Sequence, residues 1–148
     1  MNKKVKAIRK DALNFILEIG ESAHPEEMVG MLTAKKKVIT DMVLAPGTYT
    51  SDKSAVMRVN QLPMGLNTVG SVHSHPSGNI SPSKTDLEMF SKNGDFHIIT
   101  GYPFEKNNWV CYNRKGEERE LEVRDIENKE EDNLWEKELE RLKEDIDE

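Results

Sequence analysis

Two histidines separated by one residue, with an aspartate eleven positions further on, are the residues of this chain best suited to chemistry. They occur in the stretch His73-Ser-His75-Pro-Ser-Gly-Asn-Ile-Ser-Pro-Ser83-Lys-Thr-Asp86. Two imidazoles and a carboxylate make a three-ligand set for Zn²⁺. A catalytic zinc keeps a fourth position for water and lowers the pKa of that water to about 7. The pattern therefore makes metal-assisted hydrolysis the leading hypothesis.

The element that carries the two histidines is predicted to be a strand. Residues 69–75 include the β-branched Val69 and Val72 and are followed by Pro76. Alternate residues of a strand point to the same face, so His73 and His75 would project together from its end. A hydrolytic site would also need a carboxylate as general base that is not itself a ligand. Spacing alone does not select that base among the 27 acidic residues.

A helix is predicted to follow, and its starting residue decides what Asp86 does. If Ser83 is the N-cap, then Ser83 and Asp86 resemble a capping box and Asp86 has a structural role. If Ser81 is the N-cap, then Pro82 takes the first helical position, and Ser83 and Asp86 lie one turn apart on a face free to point at the histidines. We favour the second alternative, because it gives Pro82 a position that suits proline.

The remaining segments predict an α/β domain with a mixed β-sheet flanked by helices. Apolar residues at helical spacing predict an amphipathic helix over residues 4–20 that ends before Pro25. Asn93-Gly94 closes the second helix. The segment Asn113–Gly116 predicts a hairpin turn. Further strands are predicted over residues 27–34, 38–44, 55–59, 96–100, 108–112 and 118–123, with a loop over 61–67.

Charge separates residues 1–126, the predicted domain, from residues 127–148. The latter carry 11 acidic and 4 basic side chains, a net charge of −7, which leaves +1 on the rest of the chain. Without a basic cluster, nucleic acid is not the expected partner. Residues 127–148 predict an acidic amphipathic C-terminal helix or tail, whose apolar stripe would pack on its own domain or form a homodimer or partner contact.

The single cysteine, Cys111, and the absence of a long apolar run bear on location. One cysteine forms no internal disulfide, and no run of about 18 apolar residues is present to make a transmembrane helix. A cytoplasmic protein with no membrane partner is therefore expected. Cys111 and His97 are expected to be buried structural residues, and Ser74 is expected to point away from the two histidines.

Together these residues resemble the JAMM motif of the MPN+ metalloproteases. That motif combines His73, His75, Ser83 and Asp86 at this spacing with an upstream glutamate in a hydrophobic strand, here Glu27 in Glu-Met-Val-Gly-Met-Leu. The resemblance covers residues 5–125 and is nearest to compact archaeal JAMM-domain isopeptidases. It is also carried by residues 72–77, 96–99 and 111–117. It implies a single MPN (JAMM) domain with a mixed curved sheet.

The resemblance also implies a role for each motif residue. His73, His75 and Asp86 would bind one Zn²⁺ per chain. Glu27 would deprotonate the zinc-bound water and then protonate the leaving amine, and Ser83 would stabilise the oxyanion. Strand alternation would place the neighbouring Glu26 on the opposite face, in solvent.

The implied activity is hydrolysis of the isopeptide bond between the C-terminal glycine of a ubiquitin-like small modifier and a target lysine. The modifier and its conjugates would be the partners, and an extended Gly-Gly tail would pair with a sheet edge beside the metal. One alternative keeps the site but removes small adducts from a ubiquitin-like sulfur carrier. Another is a non-catalytic MPN scaffold, which is disfavoured because no motif residue is missing. A zinc deaminase is disfavoured because the Pro-Cys-x-x-Cys pair is absent.

Overall fold

A mixed β-sheet, with one helix against each face, organises the part of the chain that the structure describes. The structure is a computed structural model, and it describes residues 5–44 and 68–125. The elements are β1 (Ala7–Arg9), α1 (Lys10–Ala23), β2 (Val29–Lys35), β3 (Val38–Leu44), β4 (Thr68–His75), α2 (Lys84–Lys92), β5 (Phe96–Gly101), β6 (Trp109–Tyr112) and β7 (Glu122–Arg124). The described strands lie in the order β6-β5-β4-β2-β3-β1-β7. The predicted mixed α/β sheet is thus confirmed.

Strand β4, which carries the two histidines, lies in the interior of the sheet. It pairs antiparallel with β2, where Val29 is opposite His73, and parallel with β5, where Gly101 is opposite His75. Because β4 and β5 are parallel, the chain must cross between them, and α2 makes that crossing. The carboxyl end of β4 therefore meets the start of β2 and the start of α2.

The two faces of the sheet bury different clusters. Val72 and Ile98 belong to the larger core, which includes Ile16 of α1. Ile99 belongs to a smaller cluster with Phe90 of α2. Successive residues of β5 thus point to opposite faces, as strand geometry requires. Helix α1 covers one face, and α2 covers the face on which His73 lies.

The first predicted helix is wrong at its beginning. Residues 7–9 form the short strand β1, and α1 begins only at Lys10. Ala7 and Ile8 are buried, and β1 pairs in parallel with both β3 and β7. Apolar residues at helical spacing do not reveal that β3 and β7 are present to pair with residues 7–9.

The predicted hairpin around Asn113–Gly116 is only partly formed. The turn closes through a hydrogen bond from the Asn113 amide to the Glu117 carbonyl, and Tyr112 bridges to Glu118. The chain then leaves β6, and β7 pairs with β1 at the other end of the sheet. The predicted strand over residues 118–123 is therefore wrong in extent and in partner, because its pairing depends on a remote edge.

Other predicted elements lie outside the described residues: the strand over 55–59, the loop over 61–67 and the helix over 127–148. Within the described ranges, no helix is long and apolar enough to cross a lipid bilayer.

Gly70 allows β4 and β5 to approach closely, and this position yields a stability prediction. A Cβ at Gly70 would lie 1.4 Å from the Phe96 carbonyl oxygen and 2.4 Å from its carbonyl carbon. Backbone atoms in a paired strand cannot move aside, so Gly70→Ala should lower the free energy of unfolding by about 3 kcal/mol. Urea denaturation followed by circular dichroism measures the change.

Gly20→Ala is the matched control. A Cβ at Gly20 would meet side-chain atoms only, the Phe104 ring at 3.0 Å and the Thr100 hydroxyl oxygen at 3.3 Å, and side chains can shift where a paired backbone cannot. Alanine also favours the helix by about 1 kcal/mol. Equal losses of stability in the two variants would contradict the close approach at Gly70.

Candidate metal centre

Two imidazole rings and one carboxylate converge at the carboxyl end of β4. Asp86 Oδ2 lies 3.1 Å from His75 Nε2, and Asp86 Oδ1 lies 3.4 Å from His73 Nδ1. His73 and Asp86 are buried, while His75 is half-buried. The structure thus brings together the three residues that the sequence pattern proposed as a ligand set.

The N-cap of α2 is Ser83 and not Ser81, so the favoured alternative is wrong. The Ser83 side chain accepts a hydrogen bond from the Asp86 amide at 3.1 Å, and Asp86 Oδ2 accepts one from the Ser83 amide at 2.9 Å. This is a complete capping box. The two roles of Asp86 are not exclusive, because a carboxylate has two oxygens. Asp86 therefore caps α2 and faces both histidines at once.

Each histidine ring is held by a hydrogen bond on the side turned away from Asp86. His75 Nδ1 lies 2.7 Å from the Asn79 carbonyl oxygen. His73 Nε2 lies 3.1 Å from the Ser71 hydroxyl oxygen. Such outer bonds orient the ligand histidines of metal sites and select their tautomers.

Burial and charge set the protonation of the three groups. Burial lowers the pKa of His73 to about 4, so its ring is neutral at pH 7. Burial alone would raise the pKa of Asp86. The hydrogen bond to His75, the electrostatic effect of His73 and the hydrogen bond from the Ser83 amide outweigh burial and lower that pKa to about 2. Burial opposes charge on His75 as well, yet its bonds to Asp86 and Asn79 leave its pKa raised.

Two imidazole nitrogens and a carboxylate are ligands that zinc prefers. The two distances from the Asp86 oxygens to the histidine nitrogens also suit zinc. Ligand bonds of about 2.0–2.1 Å in a tetrahedral shell place neighbouring donors about 3.3 Å apart. The two separations from Asp86, 3.1 and 3.4 Å, are close to that value. Within the described residues, however, no group of three His, Cys, Asp or Glu side chains is already arranged to hold a metal ion. A cation would have to displace any proton shared between His75 and Asp86 before the set could close.

Glu27 lies beside this centre, just before β2 begins. The Met28 amide donates to the Ser74 hydroxyl at 2.7 Å, and the Ser74 amide donates to the Met28 carbonyl at 2.9 Å. These bonds tie the Glu27 segment to the strand that carries the histidines. They also confirm the structural role predicted for Ser74.

The Glu27 carboxyl has a raised pKa. Burial is the main cause, Asp86 adds to it, and His75 opposes it. Glu27 is nevertheless exposed overall, whereas Glu26 is half-buried. The expectation that Glu26 would be the more solvated of the two is therefore wrong. Both residues precede β2, so strand alternation does not apply to them.

Two residues around the centre, Ser71 and Asn79, were not singled out from the sequence, and the buried Phe90 packs against the His73 ring. Ser71 lies two residues before His73, on the same strand face, and Phe90 lies one helical turn after Asp86. The Phe90 ring stacks on His97 at 4.3 Å and meets His73 edge-on at 5.9 Å. Strand and helix periodicity give a signal for Ser71 and Phe90, but no sequence signal marks the Asn79 carbonyl.

His97 and Cys111 are buried, as predicted. Burial lowers the pKa of His97 to about 4 and raises the pKa of the Cys111 thiol to about 12. A thiol with that pKa is almost entirely protonated at pH 7, so it is a poor nucleophile. Cysteine-based catalysis by this residue is therefore disfavoured.

Comparison with known proteins agrees with this geometry. Residues 9–115 match the prokaryotic homologues of the JAB domain. A probable metalloprotease of Haloferax volcanii is 36% identical over 136 residues, which cover 85% of this chain and 84% of the relative.

Two solved structures share the fold at substantial sequence identity. A JAB1/MPN domain protein from Archaeoglobus fulgidus is 42% identical, with a TM-score of 0.66 over 79% of this chain and 97% of that one. A structure described as JAMM, a metalloprotease-like zinc site in the proteasome and signalosome, is 40% identical. Its TM-score is 0.65 over 83% of this chain and 99% of that one.

Fold and site together define a metalloprotease-like protein of the JAMM/MPN class. Within that class, the chain belongs to the family of prokaryotic homologues of the JAB domain. The resemblance inferred from the motif is confirmed.

Proposed function

We propose that the protein is a zinc-dependent isopeptidase, which hydrolyses the bond between the C-terminal glycine of a ubiquitin-like small modifier and a target lysine. The observation that carries this proposal is the convergence of His73, His75 and Asp86, with Glu27 alongside. Family membership supports a metalloprotease. The choice of an isopeptide substrate is supported by the motif resemblance. It is also supported by similarity to the solved JAMM structure, a metalloprotease-like zinc site in the proteasome and signalosome.

The proposed metal ligands are His73 through Nδ1, His75 through Nε2, and Asp86, with one zinc ion per chain. When bound, zinc supplies a Lewis acid that acidifies water and polarises a carbonyl. His75 keeps the Asn79 carbonyl as the partner of its other ring nitrogen. Asp86 keeps the Ser83 amide on Oδ2, so its other oxygen remains available.

Glu27 is the proposed general base and acid. Its pKa is raised, so it takes up a proton more readily than an ordinary glutamate, and the residue as a whole is exposed, so water and substrate can reach it. It accepts a proton from the attacking water as the new C–O bond forms. It then donates that proton to the lysine amine as the C–N bond breaks, so the protons balance over the reaction.

Ser83 is proposed to stabilise the oxyanion that develops on the scissile carbonyl. In the capping box its oxygen acts as an acceptor for the Asp86 amide, which leaves the hydroxyl proton available for donation. The residue is exposed at the start of α2, where a substrate carbonyl can reach it. A donor preorganised by the helix cap contributes to the transition state without further rearrangement.

Glu27→Gln should abolish cleavage while zinc remains bound, because glutamine cannot carry the proton. The expected loss of kcat is at least about 100-fold. A lysine-linked conjugate of a ubiquitin-like modifier is the substrate, and zinc per chain is quantified in parallel. Glu26→Gln is the matched control and should cleave at the wild-type rate.

Loss of zinc from Glu27→Gln would make Glu27 a structural or ligand residue and contradict its role as base. Equal losses of activity in Glu26→Gln and Glu27→Gln would also contradict it. Release of a small adduct from the modifier tail, without cleavage of the lysine linkage, would replace the isopeptidase assignment with adduct removal.

Ser83→Ala and Ser83→Gly separate the oxyanion role from the cap. Alanine at an N-cap costs about 1 kcal/mol of stability, whereas glycine costs only a few tenths. Both changes remove the hydroxyl, so both should lower kcat by about 100-fold. Unfolding and kinetics are measured on the same preparations. If kcat falls only in proportion to the loss of stability, so that Ser83→Gly has nearly the wild-type kcat, then Ser83 acts only as a cap.

A further inference from the structure

A chain of three hydrogen bonds runs from a backbone carbonyl to the back of the His73 ring. The Gly94 carbonyl oxygen lies 2.9 Å from His97 Nε2. His97 Nδ1 lies 2.7 Å from the Ser71 hydroxyl oxygen, which in turn lies 3.1 Å from His73 Nε2. All three side chains are buried, and Ser71 and His97 have no exposed surface. Neither residue is part of the motif.

The direction of each bond follows from what its end groups can do. A carbonyl oxygen only accepts, so His97 Nε2 must carry the proton that it shares with Gly94. His97 Nδ1 also accepts a bond from the Ser71 amide at 3.2 Å, so this nitrogen has a lone pair and no proton. The Ser71 hydroxyl therefore donates to His97 Nδ1.

The same reasoning then determines the tautomer of His73. Because the Ser71 hydroxyl proton is directed at His97, the Ser71 oxygen can only accept from His73. His73 Nε2 thus carries a proton, and Nδ1 presents a lone pair towards Asp86 Oδ1, 3.4 Å away. A lone pair facing a carboxylate is repulsive unless a cation lies between them.

We propose that Ser71 and His97 are positioning residues that hold His73 in the Nε2–H tautomer, so that Nδ1 is the metal ligand. This inference rests on the metal site of the proposed function. A hydroxyl can either donate or accept, so Ser71 alone would not select a tautomer. His97, anchored on the Gly94 carbonyl and stacked on Phe90, sets the direction of the hydroxyl.

Nitrogen NMR tests the tautomers in the wild-type chain. Long-range ¹H–¹⁵N correlations of metal-free and zinc-loaded protein should show the Nε2–H form for both His73 and His97. A His73 ring protonated at Nδ1 in the metal-free protein would overturn the proposal. This readout requires no substrate and no variant.

Zinc affinity tests whether the chain of bonds matters to the site. Ser71→Ala should raise the Kd for zinc by about 10–100-fold, as measured by competition with a chromophoric chelator. Ser71→Thr, which keeps the hydroxyl, should restore the affinity. Ser74→Ala is the matched control, because Ser74 is equally buried on β4 but bonds to the Met28 amide. Equal losses of affinity in Ser71→Ala and Ser74→Ala would reduce Ser71 to a structural residue.

Two substitutions at His97 complete the test. In His97→Phe, the Ser71 hydroxyl loses its acceptor and should donate to His73, which shifts His73 to the Nδ1–H form and weakens zinc binding. In His97→Gln, the side-chain amide can still donate to Gly94 and accept from Ser71, so the tautomer should persist. An unchanged His73 tautomer in His97→Phe would overturn the role of His97.

These measurements also separate this inference from the proposed activity. Wild-type protein with the expected tautomers and tight zinc binding, but without cleavage of a conjugate, would reject the isopeptidase and support the positioning role. Absence of zinc binding by the wild-type chain would overturn the assignment of His73 Nδ1 as a ligand.

Discussion

The carboxylate of Asp86 connects the helix to the strand that carries the chemistry. It is buried, so its charge requires partners that replace water. Oδ2 accepts from the Ser83 amide at 2.9 Å and lies 3.1 Å from His75, while Oδ1 lies 3.4 Å from His73. The capping box thus orients the carboxylate by the same bond that starts α2. A change in where the helix begins would move the acidic ligand away from both imidazoles.

Backbone carbonyls support the centre from behind. The Asn79 carbonyl holds His75 directly, and the Gly94 carbonyl holds His73 through His97 and Ser71. Side-chain hydroxyls can rotate, but a carbonyl in a fixed chain only accepts. Anchoring both rings on carbonyls therefore determines which nitrogen of each ring faces Asp86, and this orientation is what a tetrahedral cation requires.

Local patterns were sufficient to predict much of this site. Period-two alternation placed His73 and His75 on one face of a strand, and the structure has that strand at Thr68–His75. The N-cap residue was misassigned, because two serines next to Pro82 offered competing caps and only the packing of Asp86 against the histidines distinguishes them.

The link from Ser71 to His97 spans 26 residues. It depends on β4 and β5 lying side by side, which no local pattern reveals. The pairing of β7 with β1 was missed for the same reason.

Zinc content and cleavage of a lysine-linked ubiquitin-like conjugate should be measured together, for wild-type protein and for His75→Ala. The wild type should contain about one zinc per chain and cleave the conjugate, and the variant should lose both. His24→Ala, which changes an exposed histidine outside the centre, should keep both. A His75→Ala protein that is folded, retains its zinc and cleaves at the wild-type rate would show that His75 is not a ligand of a catalytic zinc.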